Sequence, residues 1–225
     1  MKKFTSFWMM VALAMMSVTF ASCDDDPWHD DWDRPGYWPG GGQDEVTTAD
    51  EAAALCTEWY GTVRYTYQNE VGGYDVAEFY ADMTFSRYSN NALRGVGTEK
   101  DYTYNEDGSI NDTQTLTFTW RVLDNFDIQI DYDRESGGGT YTLDANASQK
   151  GFKLEYDKSQ KKYFFYGYMI GSGSAKGNEI MFDFEEVNRH RSRASETTVS
   201  NGKSFGIFAE RPALQVSQGR LIKNR

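Results

Sequence analysis

Between about residues 52 and 186 the chain alternates apolar and polar residues with a period of two. A helix brings every third or fourth residue to one face, whereas a strand brings every second, so the pattern demands half-buried strands. Trp59, Gly61, Val63, Tyr65 and Tyr67 share one face of the first run, and Ala77, Phe79, Ala81, Met83 and Phe85 one face of the second. Leu116, Phe118, Trp120 and Val122 follow, then Phe126, Ile128, Ile130 and Tyr132. Tyr141 with Leu143, then Phe152, Leu154 and Tyr156, and finally Ile180, Phe182 and Phe184 complete the set. Residues 163–170 are almost wholly apolar, which implies a strand buried on both faces or a wet cavity lined by tyrosine. Gly72-Gly73, Asp107-Gly108, Gly137-Gly138-Gly139 and the glycines of 171–178 separate the runs as hairpin turns. Residues 48–55, rich in Asp, Glu and Ala, form the only helical stretch. No strand-helix-strand alternation suggests a parallel sheet. The expected fold is all-β, an antiparallel up-and-down barrel of about eight strands whose closure removes its edges, with a β-sandwich as the other arrangement.

The side chains available narrow the chemistry. With 15 Tyr, 14 Phe and 6 Trp the chain can fill a core, which argues against wholesale disorder. The net charge of -11 argues against nucleic acid as a partner. His29 and His190 are the only histidines, so neither a histidine metal site nor histidine acid-base catalysis is expected. Residues 104–112 mimic a calcium loop, but Thr103 and Gln114 stand where acidic ligands are needed, and a hairpin turn on Asp107-Gly108 accounts for them. Asp127, Asp131 and Asp133 are read as one solvated strand face rather than a paired-carboxylate hydrolase site. No nucleophile elbow, phosphate loop or zinc spacing is present. The expectation is a protein that is not an enzyme and carries no cofactor or metal. Cys56 is read as a small core residue.

Both termini differ from the body. Lys2 and Lys3 precede an uncharged run over residues 4–21, the layout of a secretory signal. Ala21-Ser22-Cys23 resembles a bacterial lipoprotein signal, with Cys23 as the lipidated residue and residues 1–22 removed. Acyl chains on Cys23 would then hold the protein to a lipid bilayer. Residues 23–50 carry nine acids and one base and read as an acidic tether. The Asp24-Asp25-Asp26 run resembles the export signal of Bacteroidetes-type surface lipoproteins, which implies an outer-membrane anchor facing outward. Residues 51–186 form the barrel domain. Residues 187–225 carry two acids and eight bases and form a basic extension, read as lying against the acidic body. Within it, residues 204–209 read as one more strand.

Leu55-Cys56-Thr57-Glu58-Trp59 opens the first strand, with Trp59 in the tryptophan place of the lipocalin Gly-Xaa-Trp signature and Thr57 in the glycine's. Residues 52–186 thus resemble the lipocalin-like (calycin) barrels. The resemblance implies an eight-stranded barrel whose closed end is plugged by Trp59 and whose interior holds a small apolar ligand. A mouth ringed by tyrosine suits a small apolar or glycan ligand, since aromatic faces take both. Tyr65, Phe85, Trp120, Ile130 and Tyr166 are the candidates to line such a cavity. The alternative expectation is a packed barrel without a cavity, serving as an accessory subunit with an envelope protein partner.

Overall fold

The computed structural model of the chain describes residues 46–187, 202–216 and 219–221. Residues 1–22, read as a signal, Cys23, His29 and His190 lie outside the described residues, as does most of the stretch read as a tether.

The described chain opens with α1 (Thr48–Leu55). The Thr47 hydroxyl accepts from the Asp50 amide, and the Asp50 carboxylate accepts from the Thr47 amide, a reciprocal cap that fixes the helix start. The helix therefore begins inside the stretch read as tether, and it takes Thr48, Ala49 and Asp50 from it. Nine strands follow among the described residues. They are β1 (Glu58–Gln68), β2 (Tyr74–Arg87), β3 (Arg94–Tyr104), β4 (Ile110–Val122), β5 (Ile128–Tyr132), β6 (Thr140–Leu143), β7 (Phe152–Asp157), β8 (Lys162–Ser172) and β9 (Glu179–Glu186).

The strands form one antiparallel meander that closes on itself. Neighbours pair in chain order from β1 to β6, β9 pairs with β1, and β8 pairs with β9. Closure comes from β6 meeting the far end of β8 through Tyr141 opposite Gly171. The result is a closed eight-stranded antiparallel barrel, the lipocalin-like arrangement. The ninth strand, β7, is extra. It lies against the other half of the same β8 edge, with Leu154 opposite Phe165.

Trp59, Val63, Tyr65, Phe79, Met83, Phe85, Phe118, Trp120, Ile130, Phe165, Phe182 and Phe184 belong to one continuous buried cluster. Alternation places these side chains inside while their neighbours face out. The near-unbroken apolar run of β8 has a structural cause. Phe165 points into the barrel, while Phe164 and Tyr166 point outward and are covered by Phe208 from the C-terminal segment. That segment does not form the expected additional strand. Phe205 makes an isolated bridge with Leu154, and the left-handed Gly206 (φ 75°) then turns the backbone out of register.

Candidate functional site

The two ends of the barrel are built from different chemistry. At one end, α1 and the β2–β3 and β4–β5 turns close over the core. Trp59 is fully buried there, its indole N–H donates to the Leu55 carbonyl at 3.0 Å, and its ring lies 5.4 Å from that of Phe165. Phe85 meets Phe118 and Trp120 edge-on at 5.2 and 5.9 Å, the arrangement that ring quadrupoles favour. A Cβ on Gly97 would stand 2.1 Å from the Phe118 ring, so β3 gives up a side chain to let that ring in. The same end holds Glu51, which is 0% exposed and whose two carboxyl oxygens have no hydrogen-bond partner among the described residues. Burial, reinforced by the charge of Asp127, pushes the Glu51 carboxyl up to about 8. Burial also pushes the half-buried Cys56 thiol up to about 11, so it is a thiol and not a reactive thiolate at neutral pH.

Towards the other end, the inward face of β3 turns polar. Glu99 (2% exposed), Asp101 (0%) and Thr103 (1%) follow one another at alternate positions on that face. Successive inward positions on a strand lie about 7 Å apart, so the three groups form a row along the wall. The Tyr132 hydroxyl donates to Glu99, and Gln114 donates to Asp101 at 2.8 Å. Across the barrel, the Asn178 amide donates to the Tyr65 hydroxyl at 2.8 Å, and Tyr141 donates to the same hydroxyl at 3.4 Å. Tyr132 and Tyr141 meet edge-on at 5.7 Å. The Thr103 hydroxyl is buried without a hydrogen-bond partner among the described residues. Carboxylates, tyrosine hydroxyls and tyrosine faces are thus presented together inside the open end. They can accept from amines or hydroxyls and can stack on an apolar face.

Of the residues expected to line a cavity, Tyr65, Phe85, Trp120 and Ile130 join the main buried cluster. Tyr65 lies at the polar end, while Phe85 and Trp120 lie in the aromatic packing of the closed half. Tyr166 does not face the interior. It stands on the outer wall with Phe164 and Phe208, and its hydroxyl donates to Glu155 at 3.2 Å. The continuous apolar run of β8 hid the alternation that would have shown this. The aspartates read as one strand face are also separated. Asp127 precedes β5 and accepts from the Ala145 amide, Asp131 lies in β5 and accepts from Thr140, and Asp133 follows β5 and accepts from Thr117. The Asp107-Gly108 turn is a hairpin in which Asp107 accepts from the amide and hydroxyl of Ser109.

The acidic row on β3 escaped the sequence reading because the strand is inverted in polarity. Its inward residues are Gly95, Gly97, Glu99, Asp101 and Thr103, while Val96, Tyr102 and Tyr104 face outward. One signal was available. The 30 residues between Phe85 and Leu116 are too many for one hairpin connection and had to hide a strand.

The described C-terminal residues bind along the outside of the barrel. Lys203 pairs with Asp50 of α1 at 3.0 Å. Lys153 donates to the Gly206 carbonyl, and Arg211 pairs with Asp183 of β9 at 2.7 Å. The Arg211 guanidinium also lies 4.2 Å from the centre of the Phe164 ring. Between this strap and residues 148–150 lies an open groove of about 630 Å³ that includes Lys150, Tyr168 and Arg211.

Comparison of the chain with protein-family models, with curated proteins and with solved structures finds no match in any of the three. The site therefore has to be read from its own chemistry.

Proposed function

We propose that the protein is a lipid-anchored surface lipoprotein whose lipocalin-like barrel binds a small ligand at its open end, and that the ligand is of glycan class. The observation that carries this reading is the buried row of Glu99, Asp101 and Thr103 facing Tyr65, Tyr132 and Tyr141. A wall that had only to pack would place apolar side chains there, because burying carboxylates is costly unless they are hydrogen-bonded. Carboxylates accept sugar hydroxyls, and tyrosine faces stack on the C–H surface of a pyranose ring. A purely apolar ligand would leave the carboxylates without new partners, so the glycan is favoured over it. Anchoring rests on the signal-like residues 1–22 and on Cys23. Outward display on an outer membrane rests on the acidic run that follows.

Native mass spectrometry tests the ligand. The whole chain, carrying Cys23→Ser so that it stays soluble, is compared before and after extraction and then screened against a glycan array. A discrete added mass, or glycan retention that Tyr65→Ala weakens at least tenfold, is expected. A bare chain with no glycan retained removes this reading. Radiolabelled palmitate incorporated by the wild type and not by Cys23→Ser tests the anchor. Protease shaving of intact cells tests which side of the membrane the barrel faces.

A second reading, a packed accessory subunit of an envelope assembly, is favoured by a different observation. Val71, Tyr74 and Val76 at the β1–β2 hairpin, with Tyr104 and Ile110 at the β3–β4 hairpin, are exposed on the open-end rim. Exposed apolar groups of this size suit a protein partner. Cross-linking from this rim in intact membranes, followed by identification of a stable partner, distinguishes the two readings.

A further inference from the structure

Arg94 opens β3 just after the β2–β3 turn of the closed end, and Arg121 of β4 stands directly opposite it. The Val122 amide donates to the Leu93 carbonyl at 2.7 Å, which makes those two the hydrogen-bonded pair. Arg94 and Arg121 are therefore the non-hydrogen-bonded pair next to it, in which Cα atoms lie only about 4.5 Å apart and side chains are at their closest. Both are exposed on the outer wall. Like charges in this position repel and reduce stability. The chain has a net charge of -11, and its body neutralises other cations directly. Arg64 pairs with Glu78 at 2.7 Å, Lys162 with Glu185 at 2.6 Å and Arg211 with Asp183 at 2.7 Å. Neither Arg94 nor Arg121 has an ion pair among the described residues.

The two arginines line a surface pocket of about 250 Å³ with Tyr88, Thr119 and Asp131. One guanidinium is held in place there. Arg121 donates through Nε and Nη2 to the Gln129 amide oxygen at 3.2 and 2.8 Å. The Gln129 amide nitrogen donates in turn to both Asp131 oxygens at 3.1 Å, and the Thr140 hydroxyl donates to Asp131 at 2.6 Å. Asp131 thus fixes Gln129, and Gln129 aims Arg121, without an ion pair forming. The Arg121 Nη1 and the whole Arg94 guanidinium keep their donors free among the described residues. Tyr88, 60% exposed, adds an aromatic face and Thr119 a hydroxyl.

We propose that this pocket is a binding site for the phosphate group of a phosphate ester. Two arginines against one aspartate leave the lining cationic. Paired guanidinium forks match the several charged oxygens of a phosphate, whereas a carboxylate is satisfied by one fork. A bound phosphate also removes the repulsion between the arginines, so binding and stability are linked. The site lies on the outer wall of the closed end. It is separate from the open end and does not depend on the glycan reading.

The test uses the whole chain with Cys23→Ser and inorganic phosphate as the probe. At equal ionic strength, saturating phosphate is expected to raise Tm by about 3 °C over chloride, and acetate to raise it by less than half as much. Arg94→Gln and Arg121→Gln are each expected to weaken phosphate binding at least tenfold in calorimetric titration. Lys100→Gln removes an exposed cation from the same face of β3 outside the pocket, and should leave binding within twofold. In chloride, Arg94→Gln/Arg121→Gln should melt no lower than its parent, which also shows that it folds. Flotation with phosphatidic acid vesicles separates the two sources of the phosphate. Arginine-dependent flotation assigns a lipid headgroup, and phosphate binding without flotation assigns a soluble ester. Equal Tm in phosphate and chloride together with no arginine-dependent flotation overturns the proposal. So does a loss of binding in Lys100→Gln as large as in Arg94→Gln, which would reduce the effect to general charge.

Discussion

The two ends of one barrel spend the same strands differently. At the closed end, α1, Trp59, Phe165, Phe85 and Phe118 fill the space with rings at contact distance, and the backbone yields at Gly97 to let them in. At the open end, the same β3 strand presents Glu99, Asp101 and Thr103 instead. Apolar packing is favourable wherever water is excluded, but buried carboxylates are tolerated only with specific partners. The closed end is therefore the stabilising half, and the open end is the half whose carboxylates depend on specific partners. Each end also has an exception. Glu51 puts an unpartnered carboxyl into the apolar half, and Leu221 brings an apolar side chain towards the polar one.

The largest effect is expected from Trp59→Ala, which removes a fully buried ring and its bond to Leu55. Urea unfolding should show a loss of about 3–5 kcal/mol, whereas Tyr65→Phe at the open end should cost about 1 kcal/mol, the net worth of a hydrogen bond. Equal losses would erase the distinction between the ends.

Next is the pH dependence that Glu51 imposes. Its folded-state carboxyl titrates near 8, against 4.5 for the ordinary group. Below pH 4.5 both folded and unfolded states hold the proton. As pH rises the unfolded chain loses it first, so the native state holds more protons and stability falls. The fall runs from about pH 4.5 to about 8 and levels off above, where both states are ionised. The expected size is of order a few kcal/mol over that window. Glu51→Gln should flatten this part of the Tm–pH curve, and an unchanged slope would place its origin elsewhere.

Gly97→Ala tests the close approach of the Phe118 ring and should cost about 1–3 kcal/mol by overpacking. A neutral result would mean that the rings of the closed half can shift, and that the packing there is looser than at the rest of the wall. The smallest change expected is from Thr103→Val at the open end. It removes an unpartnered buried hydroxyl at constant shape and should leave stability unchanged or raise it by up to about 1 kcal/mol. The same variant should weaken a glycan that uses the open end. Gain of stability with loss of ligand affinity would mark Thr103 as a residue held for binding.

The period of two was enough to announce every strand but β3, the antiparallel meander and the turns at Gly72, Gly108 and Gly137, because backbone geometry alone ties alternation to a half-buried strand. The short helix was equally legible, since Thr47 and Asp50 make its cap within three residues. Four of five cavity candidates follow the alternation into the interior. Tyr166 does not, because a strand with both faces covered shows no alternation to read, and only the distant Phe208 explains its outer burial. The acidic row on β3 lay on the face that hydropathy would assign to solvent. Its orientation is set by register with β2, where Asp101 stands opposite Ala81 and Glu99 opposite Met83. Local sequence determined which residues could be strand, helix or turn, because those preferences act over a few bonds. Only the closed tertiary structure decided which face of β3 looks inward, what covers β8 and where the basic extension leads, because each depends on partners that lie far away in the chain.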